Sequence, residues 1–146
     1  MTILPKTIDN EYRGNRLALY VFYAITAMTI VRSLIHLLAT DGGAQSIATI
    51  PLDQYPEGAA SSLIHIFSEW GLSQLIMGIF YLLVAVRYKS LVSLMYVFIF
   101  LEYSGRWILA YAKPLETLET APGMVGNYIF VPLSLIMLYL SLPKEK

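Results

Sequence analysis

The chain has 146 residues, of which 57% are hydrophobic, 13% aromatic and only 14% charged. Because soluble domains carry roughly 25% charged residues, this composition argues against an ordinary soluble enzyme, a disordered segment and a nucleic-acid-binding protein. The ten basic and ten acidic residues cancel and there is no cysteine, which excludes a strong global field, disulfides and cysteine-ligated metals.

Four long apolar segments follow one another along the chain, at about residues 17–38, 59–86, 91–112 and 124–142. Each reaches the roughly 20 residues that a helix needs to cross a hydrocarbon layer about 30 Å thick. Because lipid cannot satisfy backbone N–H and C=O groups, segments of this length should be helices. The sequence therefore predicts an all-α, integral membrane four-helix bundle that forms a single transmembrane domain over residues 1–146.

The connecting segments indicate an up-down-up-down order. Residues 39–58 and 113–123 contain the glycines and prolines that break helices and form turns. The link between the second and third segments is only Arg-Tyr-Lys-Ser, residues 87–90, which is short enough to require antiparallel neighbours.

Basic residues are concentrated on one side of this arrangement. Seven lie there, namely Lys6, Arg13, Arg16, Arg87, Lys89, Lys144 and Lys146. Lys113 is the only basic residue in the loops of the other side. The positive-inside rule then predicts that both termini are cytoplasmic, as in a multi-pass protein of the bacterial inner membrane type, with the two long loops on the outer side.

Six ionisable residues fall inside the predicted spans: Arg32, His36, His65, Glu69, Glu102 and Arg106. Such groups are costly in lipid unless they are paired or hydrated, so they indicate an interior site. They form three couples spaced four residues apart, and such neighbours are only about 40° apart around a helix. All six belong to the outer half of the bilayer, which predicts that they meet in one polar patch.

Ser73, Gln74 and Ser104 are predicted to be interhelical hydrogen-bond donors. In the fourth segment, Asn127 and Ser134 are not expected to extend the patch.

Three interpretations of this patch remain open. Two arginines and two glutamates sum to zero charge, so they could form a closed set of salt bridges that only fixes helix register. Alternatively, Arg32 and Arg106 could bind an anionic group of a small or lipid-like ligand beside His36 and Trp70. A metal site is the third interpretation, although two nearby arginines disfavour a cation. Its ligands would be His36, His65, Glu69 and Glu102.

Residues 69–114 resemble small four-helix membrane proteins of the DoxX-like kind. The matching positions are Gly71, Gly78, Arg87, Gly105, Arg106 and Pro114. The resemblance implies a four-helix bundle and carries no catalytic residues to this chain.

A shorter stretch, "LIHIFSEW" at residues 63–70, is similar to a helix of the emopamil-binding-type sterol isomerases. In those enzymes acidic residues protonate a double bond inside the membrane. The resemblance implies that His65 and Glu69 would be catalytic, with Glu102 as a second acid, although Arg106 nearby would oppose a carbocation.

The sequence thus predicts a membrane protein that binds a small or lipid-like ligand or serves as a subunit of a membrane assembly. The expected partners are the lipid bilayer, such a ligand, and a second copy or a larger membrane complex. No cofactor and no nucleic-acid partner is predicted. The alternative is a membrane enzyme that performs isomerase-like acid–base chemistry through His65, Glu69 and Glu102.

Overall fold

The computed structural model describes residues 3–143, so Lys144 and Lys146 of the predicted charge bias lie outside the described residues. Within that range the chain forms four α-helices, two short 3₁₀ turns and no strand. The helices are α1 (Arg16–Leu38), α2 (Glu57–Arg87), α3 (Val92–Ala112) and α4 (Pro122–Ser141). Their bounds lie within two residues of the four apolar segments. The prediction of an all-α protein with four helices is confirmed.

All four helices are long and apolar enough to cross a membrane. α2 is the longest, with 31 residues. At a rise of 1.5 Å per residue it extends about 46 Å, which exceeds a hydrocarbon layer of about 30 Å. Many large apolar side chains are exposed on the bundle, among them Leu82, Leu101 and Ile129. An apolar exterior of this kind suits a lipid bilayer environment.

Local residues explain where several helices begin. The Asn15 side chain accepts a hydrogen bond from the Leu17 N–H at 2.9 Å and so caps α1. α2 follows Pro56, and α4 has Pro122 in its first turn, where the missing N–H of proline costs no helical hydrogen bond.

α1 packs along α2 through two glycines. A Cβ atom at Gly71 would lie 2.8 Å from Cβ of His36, and one at Gly78 would lie 2.9 Å from Cγ1 of Ile30. The two helices therefore approach so closely that no larger residue fits without a shift.

The buried core joins α1, α2 and α3 through aromatic side chains. Phe22 packs edge-to-face against Tyr81 and Tyr96, with ring centroids 5.7 and 5.9 Å apart. The Tyr96 hydroxyl also donates to the Ala18 carbonyl at 2.6 Å, which satisfies its buried polar group.

The two long loops, residues 39–56 and 113–121, meet at one end of the bundle, which we call the loop end. The Leu118 N–H donates to the Thr49 carbonyl at 2.9 Å and joins the two loops there. The opposite end contains the start of α1 and the end of α4, because the Asn15 N–H donates to the Leu140 carbonyl at 2.8 Å.

Asp41 organises the first loop. Its carboxylate accepts hydrogen bonds from the backbone N–H groups of Gly43, Gln45 and Ser46 at 2.9, 3.1 and 2.7 Å. Burial alone would raise the pKa of Asp41, but these hydrogen bonds outweigh it and lower the pKa below the ordinary value. Gly42 and Gly43 adopt φ angles of 61° and 72°, a conformation that glycine tolerates best.

Candidate ligand-binding site

Arg32, Gln74, Glu102 and Arg106, from α1, α2 and α3, form a hydrogen-bonded group that we call the charged network. Arg32 Nη2 donates to Gln74 Oε1 at 2.7 Å, and Gln74 Nε2 donates to Glu102 Oε1 at 3.0 Å. Arg106 Nη1 lies 3.5 Å from the same carboxylate oxygen, while Arg32 Nη2 is 3.9 Å from it. Gln74 therefore relays the contact between Arg32 and Glu102, as its predicted role of interhelical donor requires. The same prediction is wrong for Ser73, which donates to the Glu69 carbonyl of its own helix, and for Ser104, whose buried hydroxyl has no partner among the described residues.

The charged network carries an excess of positive charge. Two guanidinium groups share the one carboxylate of Glu102, and all three side chains are only 21–22% exposed. The predicted closed set of two arginines and two glutamates is wrong, because Glu69 does not take part in it. Balancing the second arginine thus needs a negative charge that this network does not supply.

Trp70 holds both guanidinium groups beside its ring. The guanidinium carbons of Arg32 and Arg106 lie 5.8 and 5.4 Å from the ring centroid, within the range of cation–π attraction. Arg106 also lies 5.0 Å from the ring centroid of Tyr103, whose hydroxyl accepts from Arg32 Nη1 at 3.3 Å.

His36 links this group to the loop end. Its Nδ1 lies 2.8 Å from the Gly42 carbonyl oxygen, and because a carbonyl can only accept, Nδ1 carries the hydrogen. The buried imidazole packs on Trp70 with ring centroids 4.7 Å apart. A Cβ atom at Gly43 would come within 2.9 Å of Nδ1, so a glycine there lets the loop approach the ring.

A cavity of about 460 Å³ lies beside the charged network. Residues from all four helices and from both loops of the loop end contribute to its wall. The polar part of the wall contains Arg32, His36, Arg106, Lys113 and Asn127. Most of the rest is apolar or aromatic, and includes Met28, Phe67, Trp70, Leu109, Met124 and Phe130.

The structure thus brings Arg32, His36, Trp70, Glu102 and Arg106 together, but not His65 and Glu69. His65 Nε2 lies 3.3 Å from Glu69 Oε1, and these side chains are 73% and 69% exposed. Neither residue lines the cavity. The prediction that all six ionisable side chains meet is therefore wrong for this pair, and the three residues proposed for acid–base chemistry do not share one site.

Helix geometry explains why this pair points away. Successive residues are about 100° apart around a helix, so Glu69 lies about 160° from the side occupied by Gly71. Because Gly71 packs against α1, Glu69 must face outward. Gln74 lies only about 60° from Gly71 by the same measure and reaches the charged network.

The alternative metal site is not assembled either. Within residues 3–143, no three His, Cys, Asp or Glu side chains lie close enough together to hold a metal ion. His36 is buried, whereas His65 and Glu69 are exposed.

Sequence reasoning missed Tyr103 and Asn127 as parts of the site. Asn127 is only 5% exposed and lines the cavity, contrary to the expectation that it does not extend the polar patch. Its Oδ1 has no hydrogen-bond partner within the described part of the chain. The available signal was an amide in an otherwise apolar span, where polar side chains usually face the interior. Tyr103 was harder to find, because tyrosines are also common at membrane interfaces.

Comparisons of this chain with protein-family models, with curated proteins and with solved structures found no match. The DoxX-like and emopamil-binding-type resemblances therefore stay predictions. The function has to be argued from the site itself.

Proposed function

We propose that the chain is a multi-pass membrane protein that binds a small or lipid-like ligand in the cavity at the loop end. The distribution of basic residues supports cytoplasmic termini, as in the bacterial inner membrane. In that orientation the loop end and its cavity belong to the outer half of the bilayer.

The cavity is the observation that carries this proposal. Its volume of about 460 Å³ falls within the roughly 300–1,000 Å³ that is typical of small-molecule sites. Its wall combines a mostly apolar lining with a few convergent polar groups, Arg32, Arg106 and Asn127. That combination suits a ligand with an apolar body and one polar group.

Binding is favoured over acid–base catalysis by the position of the candidate acids. Glu102 is engaged by Gln74 and Arg106, and it does not line the cavity. His65 and Glu69 are exposed on another face of α2. No pair of these three residues is therefore placed to protonate and deprotonate one substrate in the cavity.

A leucine that fills the cavity tests the proposal. Gly126 lines the cavity, and a Cβ atom there would meet only the Phe130 ring at 3.8 Å, an ordinary contact. The chain has two tryptophans, so a Trp107→Phe background makes Trp70 in the cavity wall the single tryptophan reporter. Decanol and decanoate, added at equal mole fraction in detergent, are suitable probes.

We expect at least one probe to change the Trp70 fluorescence saturably, and Gly126→Leu to weaken its binding at least about tenfold by occupying the space. Gly105→Leu is the matched control, because a Cβ atom at Gly105 meets nothing within 4 Å. The proposal is wrong if neither probe gives a saturable response, or if Gly126→Leu and Gly105→Leu bind equally well.

A further inference from the structure

We infer that the ligand of this cavity is an anionic amphiphile, with a carboxylate or phosphate group beside Arg32 and Arg106 and an apolar chain in the remaining space. The inference rests on the proposed function, because it names the chemical class of the ligand for the same site. Charge, unused hydrogen-bond donors and the apolar wall each support it.

The wall of the cavity is cationic. Arg32, Arg106 and Lys113 line it, whereas no aspartate or glutamate of the described residues does. Glu102 belongs to the charged network but lies outside the wall, and it is shared between two guanidinium groups. Because charges interact strongly where water is scarce, this excess attracts an anion and repels a cation.

Arg32 and Arg106 also have N–H groups that make no hydrogen bond to the described chain. A guanidinium has five N–H donors. Within the described chain Arg106 makes one hydrogen bond, to Glu102 at 3.5 Å, and Arg32 makes two. The Nε of Arg32 is buried without a partner among the described residues. A carboxylate or phosphate would provide the acceptors that these groups lack.

Trp70 and Tyr103 hold the guanidinium groups of Arg32 and Arg106 in place before a ligand binds. Arg106 lies 5.4 Å from the Trp70 centroid and 5.0 Å from the Tyr103 centroid, and Arg32 lies 5.8 Å from the Trp70 centroid. Contact with a ring restrains a guanidinium without providing a carboxylate partner for it. Less conformational freedom is then lost when an anion binds.

The rest of the wall accommodates an apolar chain. Met28, Leu109 and Phe130 line the cavity together with the two arginines. A fully polar anion such as free phosphate would leave this apolar surface uncovered, so the wall favours an amphiphile.

Three probes with the same chain length test the charge of the ligand: decanoate, decyl phosphate and decanol. They are added to the full chain in a non-ionic detergent at mildly alkaline pH. The fluorescence of Trp70 in the Trp107→Phe background reports binding. We expect at least one anion to bind at least about tenfold more tightly than decanol. Arg106→Gln should remove that preference, whereas Arg87→Gln, at the exposed end of α2, should keep it.

Glu102→Gln provides a second, independent variant in case Arg106→Gln does not fold. It removes the one negative charge of the network and keeps an oxygen that can accept from Gln74. We expect decanoate or decyl phosphate to bind several-fold more tightly and decanol to bind as before. If the network only fixed helix register, this variant would be destabilised without any gain in anion binding.

The outcomes separate this inference from the proposed function. Equal binding of decanol and both anions, blocked in each case by Gly126→Leu, would overturn the anionic ligand and leave the proposed function standing. The absence of saturable binding for all three probes would overturn both. If the inference holds, tighter binding of decanoate indicates a fatty-acid carboxylate, and tighter binding of decyl phosphate indicates a lipid headgroup.

Discussion

Gln74 is the residue on which the charged network depends most directly. It accepts from Arg32 at 2.7 Å and donates to Glu102 at 3.0 Å, whereas the direct distance between Arg32 and Glu102 is 3.9 Å. A side-chain amide can do both because it carries an acceptor and two donors. Gln74 thereby links two partly buried charged side chains, Arg32 on α1 and Glu102 on α3, which are too far apart for a short direct ion pair.

Replacing this amide should destabilise the protein. Gln74→Leu removes both hydrogen bonds and leaves Arg32 and Glu102 less well satisfied, which should reduce the free energy of unfolding by about 1–3 kcal/mol. Thermal unfolding in detergent measures the effect. The control is Glu69→Gln on the same helix, which changes only an exposed pair and should cause no loss of stability, because an outward-facing charge in a membrane-crossing helix is not favourable. An equal loss in both variants would contradict the role of Gln74.

At the scale of the helices, the orientation of α2 decides which side chains reach the site. Gly71 and Gly78 lie against α1, and this contact directs Gln74 inward and Glu69 outward. Trp70 and Phe67 on the same helix line the cavity. The two glycines therefore determine the composition of the site although neither one belongs to the charged network.

A methyl group at this helix contact should be costly. In Gly71→Ala the new Cβ atom would lie 3.0 Å from the backbone nitrogen of Leu37 as well as close to His36, so α1 and α2 must separate. We expect a loss of about 1–3 kcal/mol, measured by thermal unfolding. Gly105→Ala has open space at Cβ and should be neutral or stabilising by up to about 1 kcal/mol, because alanine favours helix. Similar melting temperatures for the two variants would contradict a close contact between α1 and α2 at Gly71.

On the scale of the whole molecule, the orientation in the membrane is open to a direct test. The chain has no cysteine, so single cysteines report only their own position. Gln45 and Glu116 lie in the two loops of the loop end, while Thr7 and Tyr88 lie in the segments on the other side, and all four are exposed. None of these substitutions changes a basic residue on which the predicted orientation depends.

We expect a membrane-impermeant maleimide to label Gln45→Cys and Glu116→Cys in intact cells. Thr7→Cys and Tyr88→Cys should react only after permeabilisation, because the positive-inside rule places them in the cytoplasm. The reverse pattern would mean that the cavity belongs to the inner half of the bilayer.

Much of the fold could be predicted because the decisive information is local. The length and apolar character of the four segments specify membrane-crossing helices, and Asn15, Pro56 and Pro122 mark where three of them begin. Glu102 and Arg106 are four residues apart on one helix, which predicts that they pair. The structure contains this ion pair.

The composition of the site could be predicted only in part. Arg32, His36, Trp70 and Arg106 do line the cavity, as proposed for a ligand site, but Asn127 and Tyr103 join them and His65 and Glu69 do not. The spacing of His65 and Glu69 placed them on one face of α2 but did not indicate where that face points.

The chain itself therefore determined the number, length and ends of its helices, and which side chains share a face, because these properties depend on residues near one another in sequence. Only the tertiary structure decided how far each helix is rotated about its own axis. That rotation is settled where neighbouring helices touch, above all where Gly71 meets His36. The rotation of each helix places Glu102 in the charged network beside the cavity and leaves Glu69 on the surface. Because only one glutamate joins the two arginines, the network keeps a positive charge.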